Sequence, residues 1–464
     1  MSNQKILYQI RPLFQAPDKI SYLDGARAVA KWLLDVSIRT PEGLTWPKLV
    51  DVDGILPKED PESGLTFYAG NAGIIFYFVQ LYAAVREEEY LNAALDGIRY
   101  IRAQQDDEFP YGFDLPEAFS KWSFSSGLSG ILYPVIELLK VYEDKELEAF
   151  VKKLVDKLVK GAVKAEVGKK WTGRAAYDAD GGTIMFLLYA AEYFQESSWV
   201  ETAAKVGEYL LTTARKLDDG HISYDNGYYK QGIEYKIYWP NFEHGDAGAA
   251  YAFARLYEAT GREEFLKAAD EAAEYLTSIA VVQGDGALIP YRYPDLTDVF
   301  YLGYCHGPAG TGRLFYLLYK LTGKESYKEW LDRLVQGVID AGAPENHSEG
   351  YWNVYSQCCG TAGIVNLFLG LWADNGEQKY LELANRGGRH IIGAAKITKD
   401  PYMYWLQSYT RIRPALTTYD TGFQNGAAGI GTALLQLYLA NQNQFQVSRL
   451  PNDPFPKTSL TEKG

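Results

Sequence analysis

The sequence repeats one short motif seven times, and this repeat limits the possible folds more than any other feature. Each copy is a glycine-rich corner followed by an apolar run that ends in Leu, in most copies with an aromatic residue next. In six copies this Leu follows the second glycine at the same interval, and the third copy is degenerate. The corners occupy residues 70–73, 127–130, 178–182, 244–248, 305–310, 358–363 and 425–429. A repeat in register predicts one closed array rather than the roughly three domains that the chain length would suggest.

Two kinds of helix pattern alternate along the chain. The runs after the corners are apolar almost all round, which is typical of buried helices. The segments between them carry one apolar stripe, which is typical of helices that cover a core. These amphipathic segments are residues 22–34, 90–101, 150–158, 200–211, 265–276, 327–338 and 380–391. The alternation predicts an all-α, seven-fold α/α toroid of seven inner and seven outer helices. We expect residues 1–441 to form this single domain and residues 442–464 to form a polar C-terminal tail.

In such a toroid every inner helix begins at the same end, so all seven corners meet there. The residues just before each first glycine are expected to face a common central cavity. Helix N-termini carry partial positive charge and favour thiolates and other anions. Three aromatic loops lead to this end, at residues 222–242, 288–304 and 402–419, and the first contains a predicted hairpin turn at residues 225–227. Their tyrosines either line a groove for an extended peptide or glycan, or only pack the wide toroid.

All three cysteines of the chain lie at two neighbouring corners. Cys305 and Cys358 each stand two residues before the first glycine, and Cys359 follows Cys358. Three thiolates at adjacent helix starts predict a zinc site with one position open for a ligand. A closed structural site would need His306 as the fourth ligand. The alternatives are a strained vicinal disulfide between Cys358 and Cys359, or cysteines that only fill the core. In the second case all three would have fallen on matching motif positions by accident.

The histidines and aspartates at the corners are the candidates for proton transfer. His244 and His306 each precede the first glycine of a corner. Asp178 and Asp180 lie at the third corner and are candidates for orienting His244 or a substrate. The remaining histidines are expected to be solvated or structural; they are His221, His347 and His390.

Charge and composition exclude several function classes. The net charge of −13 and the pI near 5.1 argue against a nucleic-acid partner, which needs a basic face. No apolar run is long enough to span a bilayer. Residues 1–5 lack the charged and apolar regions of a signal peptide. With only three cysteines, the sequence indicates a reducing cytoplasm.

The corner motifs resemble those of the lanthionine synthetase C family of lanthipeptide cyclases over the whole repeat region. The matching motifs are His-Gly at the fourth corner, Tyr-Cys-His-Gly at the fifth and Cys-Cys-Gly at the sixth. Most family members have Cys-His before the glycine of the sixth corner. The Cys-Cys-Gly of this chain is instead similar to a three-cysteine subset of the family. Tyr301 stands where the family usually has an arginine.

This resemblance implies a seven-fold α/α toroid and a zinc ion held by Cys305, Cys358 and Cys359. It implies that His244 serves as acid or base, and Asp178 is the nearest match to the family's third-corner aspartate. The implied reaction adds a cysteine thiolate of a dehydrated precursor peptide to dehydroalanine or dehydrobutyrine, with His244 or His306 donating a proton. The chain has no room for a dehydratase, so a separate dehydratase is an expected partner.

Three other functions stay open at this point. Glutathione or another thiol could be added to a dehydroamino acid, as is thought for some eukaryotic family members. The protein could instead bind zinc and peptide without turnover. A carbohydrate-active toroid would need acidic pairs at its inner helix starts, and Asp178 with Asp180 is the one such pair.

Overall fold

The structure is a computed structural model that describes residues 8–9, 20–50, 64–104, 121–224, 228–230, 233–235, 237–398, 401–408, 410–444 and 450–456. The predicted turn at residues 225–227 lies outside these ranges. The described residues form fourteen α-helices. In chain order they are α1 (Tyr22–Asp35), α2 (Asn71–Val85), α3 (Glu88–Ala103), α4 (Leu128–Leu139), α5 (Lys145–Gly161), α6 (Gly182–Phe194), α7 (Ser197–Leu211), α8 (Asp246–Thr260), α9 (Glu263–Ser278), α10 (Pro308–Thr322), α11 (Glu325–Asp340), α12 (Thr361–Asn375), α13 (Gln378–Ala394) and α14 (Ala427–Asn441).

The even-numbered helices form an inner ring and the odd-numbered helices an outer ring. The inner helices are buried on nearly every side, whereas each outer helix buries one face. Each inner helix contacts the next, and α14 contacts both α2 and the outer helix α1, so the ring closes. The predicted seven-fold α/α toroid is therefore confirmed, and the reason is the alternation of wholly apolar and one-sided helices. No helix in the described part of the chain is long and apolar enough to cross a bilayer.

Short antiparallel strands connect the helices and lie at the rim. They are β1 (Tyr8–Gln9), β2 (Ile38–Thr40), β3 (Gly43–Thr45), β4 (Leu49–Val50), β5 (Val163–Lys164), β6 (Lys169–Lys170), β7 (Arg215–Lys216), β8 (Ile222–Ser223), β9 (Tyr228–Lys230), β10 (Ile233–Tyr235), β11 (Val281–Gln283), β12 (Gly286–Leu288), β13 (Asn346–His347), β14 (Lys396–Ile397), β15 (Met403–Tyr404), β16 (Leu406–Ser408) and β17 (Thr417–Asp420). β17 pairs with both β16 and β4, which joins the last long loop to the start of the chain.

The seven corners meet at one end of the toroid, which we call the mouth. One residue of each corner lies at the same level, and backbone hydrogen bonds of 2.9–3.0 Å join these residues from corner to corner. We call this set the corner ring; its members are Tyr68, Ser125, Asp178, Glu243, Cys305, Cys358 and Gln424. Six N–H groups donate to the carbonyl of the next member, including the bond from Gln424 back to Tyr68 that joins the last corner to the first; the link from Ser125 to Asp178 has no such bond. The corner ring therefore sets all seven corners in register.

A layer of aromatic side chains lies directly beneath the corner ring. In six corners the residue before the ring member is aromatic, and neighbouring rings approach to centroid distances of 4.8–5.9 Å. These residues are Phe67, Phe124, Tyr177, Phe242, Tyr304 and Phe423. Gln357 takes the seventh place and donates a hydrogen bond to the Gly429 carbonyl. The aromatic layer therefore underlies the corner ring on its inner side.

The third corner departs from the others because its helix start is a π-helical turn, Tyr177–Gly181, with non-helical backbone at Ala179. Asp178 nevertheless keeps its place in the corner ring, where its N–H donates to the Glu243 carbonyl. The Asp180 carboxylate turns away from the mouth and accepts hydrogen bonds from the backbone of residues 171–173. Asp180 therefore holds the preceding loop and does not orient His244.

Part of the expected C-terminal tail packs against the inner ring. Within residues 450–456, the side chains of Asn452 and Phe455 are fully buried. They lie against α10 and α12. The domain boundary at residue 441 stays a prediction.

Two glycines of α10 provide a test of the corner geometry. A Cβ on Gly310 would lie 2.0 Å from the Tyr304 carbonyl oxygen, which is backbone and cannot yield, whereas a Cβ on Gly312 would lie 3.3 Å from the end of the Leu331 side chain. We expect Gly310→Ala to lower the free energy of unfolding by about 2–3 kcal/mol. Gly312→Ala, which gains helix propensity, should change it by less than about 1 kcal/mol. Denaturant unfolding measures both, and equal losses would contradict this account.

Candidate functional site

The three cysteine sulfurs converge at the mouth. The Sγ atom of Cys305 lies 3.2 Å from that of Cys359, which lies 3.5 Å from that of Cys358. All three lie within 4.8 Å of one another, and no other group of three possible metal ligands occurs among the described residues. The cysteines are free thiols, so the vicinal disulfide is absent here. Sulfurs from three residues at this spacing could hold one soft metal ion, and three thiolates fit zinc.

The corners explain why these sulfurs meet. Cys305 and Cys358 are neighbours in the corner ring, where the Cys305 N–H donates to the Cys358 carbonyl over 3.0 Å. Both side chains are buried. The Tyr68 hydroxyl reaches the Cys358 sulfur at 3.2 Å from the first corner. The predicted placement of all three cysteines beside one another is what the structure shows.

The closeness of the sulfurs changes their acidity. Burial and the neighbouring thiols raise the pKa of Cys305. The pKa of Cys359 falls to about 5 because Cys305 and Cys358 hydrogen-bond to its sulfur. One thiolate is thus favoured at neutral pH even without a metal, and a cation at this position would compensate the charge of further thiolates.

His244 and Asp178 form a pair beside the sulfurs. His244 Nδ1 lies 2.8 Å from a carboxylate oxygen of Asp178, and Arg174 lies 3.6 Å from the other oxygen. Burial alone would lower the pKa of His244, but the charge and hydrogen bond of Asp178 outweigh it and raise the pKa to about 9. The imidazole is therefore protonated at neutral pH and can donate a proton.

His306 has the opposite character. Its ring is buried, packs against Trp239 and Tyr291 at centroid distances of 5.2 and 4.7 Å, and lies 5.0 Å from the ring of His244. Burial lowers its pKa well below the usual range, and the positive charge of His244 lowers it further. His306 is therefore neutral at neutral pH. Tyr301 also contacts this ring, at 5.2 Å.

Positive charge reaches this aromatic cluster from its own loop and from the loop at residues 402–419. Tyr301 stacks on Tyr291 with 4.5 Å between ring centroids. The guanidinium groups of Arg292 and Arg411 lie 5.7 and 5.2 Å from the centre of the Tyr291 ring. Tyr301 thus stacks on a ring that contacts two arginines, of which Arg292 belongs to the same loop and Arg411 is remote in sequence.

Glu243 is a site residue that the sequence reasoning missed. It belongs to the corner ring beside Cys305, and its buried carboxylate accepts a 2.6 Å hydrogen bond from the Ser125 hydroxyl. Burial raises its pKa to about 7. The signal was available, because Glu243 precedes its glycine by the same two residues as Cys305 and Cys358.

A small polar cavity adjoins Cys359. Its lining comes from the sixth and seventh corners and from strands β16 and β17; it includes Ser356, Ser408, Asp420 and Asn425. The Ser356 hydroxyl is buried and makes no hydrogen bond within the structure. The cavity thus offers polar groups beside the sulfurs.

The other histidines lie away from the sulfurs. His221 pairs with Asp219 over 3.2 Å at the surface. His347 and His390 are buried against each other with 6.2 Å between ring centroids, and burial lowers the pKa of each to about 4. They pack in the wall of the toroid, in agreement with a structural role.

Comparison with known proteins gives the same fold. A family model described as lanthionine synthetase C-like protein matches residues 5–176 and 61–450. Among solved structures, nisin cyclase matches with a TM-score of 0.61 at 14% identity, covering 84% of this chain and 92% of that one. An unsaturated glucuronyl hydrolase specific for heparin has a TM-score of 0.48 at 11% identity, covering 92% of this chain and 99% of that one. A D-mannose isomerase has a TM-score of 0.46 at 18% identity, covering 70% and 88%.

The last two likenesses have TM-scores below 0.5 and carry no argument about function. The likeness to nisin cyclase concerns the fold. The family match shows more than the fold, because it is a match of sequence. It extends over all seven corners, including those that hold the sulfurs and the His244–Asp178 pair. The chain belongs to the lanthionine synthetase C-like family.

Proposed function

We propose that this protein is a zinc-dependent thioether-forming cyclase. Its substrate would be a dehydrated precursor peptide, in which a cysteine thiol adds to dehydroalanine or dehydrobutyrine. The observation that carries the proposal is the convergence of three cysteine sulfurs beside a protonated histidine at the mouth of a lanthionine synthetase C-like toroid. Dehydration is assigned to a separate enzyme, and the cytoplasm is the proposed location.

Cys305, Cys358 and Cys359 would hold the zinc ion. When bound, zinc supplies a Lewis acid that lowers the pKa of a substrate thiol. The aromatic layer lies on the inner side of the corner ring, so the proposed route for the substrate is from the outer side of the mouth. The buried walls around the sulfurs exclude bulk water, which strengthens the electrostatic effects of charged groups there.

The chain's own residues account for proton transfer. In the addition, a sulfur–carbon bond forms at the β-carbon, the carbon–carbon double bond breaks, and the resulting enolate takes a proton at the α-carbon. His244 is the proposed donor, since Asp178 keeps it protonated. His306, neutral and in ring contact with His244, is the second candidate for proton transfer. The thiol's proton replaces the one consumed, so the product has the mass of the substrate.

The direct test uses a peptide with one cysteine and one dehydroalanine. We expect loss of the free thiol with no change in peptide mass, and no reaction with the Cys358→Ser variant, which lacks one of the three sulfurs. Mass spectrometry and thiol titration give the readout. A mass gain from added glutathione would favour thiol addition between molecules instead. Zinc binding without either product would favour a peptide-binding protein.

Metal content provides a test that is independent of activity. Because the chain has three cysteines and all three lie in the site, bound zinc should protect every thiol from a thiol reagent. We expect one zinc ion per chain and release of three reactive thiols on chelation. Cys359→Ala should leave two. Equal thiol reactivity before and after chelation would contradict the zinc assignment.

The pH dependence tests the His244–Asp178 pair. If protonated His244 is the acid, activity should fall as pH rises through about 9, where His244 loses its proton. Asp178→Asn removes the charge that raises this pKa, so the alkaline fall should move down towards the ordinary histidine value of about 6.5. Asp180→Asn, in the same turn but directed away from the mouth, is the control and should leave the midpoint in place. A midpoint unmoved by Asp178→Asn would refute this role of the pair.

A further inference from the structure

The C-terminal segment, residues 450–456, packs against the inner helices α10 and α12 and reaches two buried polar side chains there. Asn452 is fully buried. Its side-chain and backbone oxygens accept hydrogen bonds of 3.2 and 3.3 Å from Arg313 of α10. Its side-chain amide donates to the Tyr304 hydroxyl. One residue near the end of the chain thus satisfies two buried polar side chains of the inner ring.

Phe455 fixes the same segment by packing. A Cβ on Gly370 of α12 would lie 2.2 Å from the Phe455 ring, so the ring occupies the space that a side chain would need. Tyr316 of α10 packs on the other side, with 4.6 Å between ring centroids. Glycine inside a helix costs about 1 kcal/mol relative to alanine, and the docked ring explains why it is found here. Residues 450–456 therefore pack as part of the protein core.

Tyr304 connects this segment to the sulfurs. It directly precedes Cys305, and its ring is held between Phe242, at a centroid distance of 5.4 Å, and the guanidinium of Arg313, at 5.0 Å. The corner ring fixes Cys305 from the outer side through its N–H and its carbonyl. The hydrogen bond from Asn452 to the Tyr304 hydroxyl fixes the adjacent residue from the inner side. The Cys305 sulfur is thus placed by two independent sets of contacts.

We propose that Asn452 is a positioning residue for the cysteine site: through Tyr304 it holds Cys305 at the spacing that lets three sulfurs bind one metal ion. This inference rests on the proposed function in so far as the site binds a metal. Loss of the Asn452 contacts would remove two acceptors from the buried Arg313 guanidinium. Tyr304 would lose the donor that fixes its hydroxyl and turn towards the buried side chains of Glu243 and Tyr177, with which this hydroxyl also interacts. Its neighbour Cys305 would then move relative to Cys358 and Cys359.

The test measures metal binding by the full-length chain, with Co²⁺ as a spectroscopic probe and Zn²⁺ in competition. Asn452→Leu keeps the side-chain size and removes the polar contacts. We expect it to weaken metal binding about tenfold, the lower end of the loss found for residues that orient ligands. The Co²⁺ absorption bands should shift as well, because they report ligand geometry. Leu154→Ala, in the buried face of the outer helix α5 and away from this segment, is the destabilised control: it should lower the thermal midpoint but leave metal affinity and the Co²⁺ spectrum unchanged.

A second variant covers the case in which Asn452→Leu fails to fold. Tyr304→Phe removes the same hydrogen bond from the other partner and keeps the aromatic ring, so it should reproduce the loss of affinity and the spectral shift. The variant with both substitutions should bind metal as tightly as the single variant that binds it less tightly. The reason is that each substitution removes the same hydrogen bond, between Asn452 and Tyr304, so the two losses do not add. Unchanged affinity and spectra in Tyr304→Phe and Asn452→Leu would overturn the inference while leaving the proposed function intact. If the unmodified chain binds no Co²⁺ or Zn²⁺, the proposed function fails first, and this role of Asn452 fails with it.

Discussion

The corner ring is the constraint on which the rest of the structure depends. A repeat of inner and outer helices defines a toroid only if neighbouring inner helices begin at the same level, and helix packing alone permits sliding along the axis. Backbone hydrogen bonds between the corners remove that freedom, because in six of the seven links a buried N–H must meet the carbonyl of the next corner. The first and last corners are joined in the same way, through Gln424 and Tyr68, so the ring also defines closure.

Because the register between corners is fixed, residues that are far apart in sequence meet at the mouth. Ring members of consecutive corners are neighbours in space, so Glu243, Cys305 and Cys358 stand side by side although more than fifty residues separate each from the next. The residues that follow them, His244, His306 and Cys359, form the adjacent level. Chemistry at the mouth is therefore set by which side chain each corner places at these two positions. The backbone is alike in six corners and differs at the third, where the helix begins with a π-helical turn.

Side chains beneath the corner ring hold the corners in place. The aromatic layer lies beneath the corner ring, and the C-terminal segment at residues 450–456 packs against α10 and α12. Gly370 leaves space for the Phe455 ring, and Arg313 donates hydrogen bonds to Asn452. A buried guanidinium is costly without acceptors, so this segment is as much a part of the core as the helices.

The sequence by itself determined the fold class, the number of repeats and the three cysteines as one group, because glycine spacing and hydrophobic periodicity act locally and are written in the chain. It also placed His244 and His306 at the mouth. It offered both Asp178 and Asp180 for orienting His244 and could not choose between them, because a π-helical turn blurs the third corner; Asp178 reaches His244 and Asp180 turns away. Only the tertiary structure decided the acidity of His244, the burial of Glu243 and the docking of Asn452. These depend on distances between residues far apart in sequence, and a charge or an unsatisfied donor acts through space rather than along the chain.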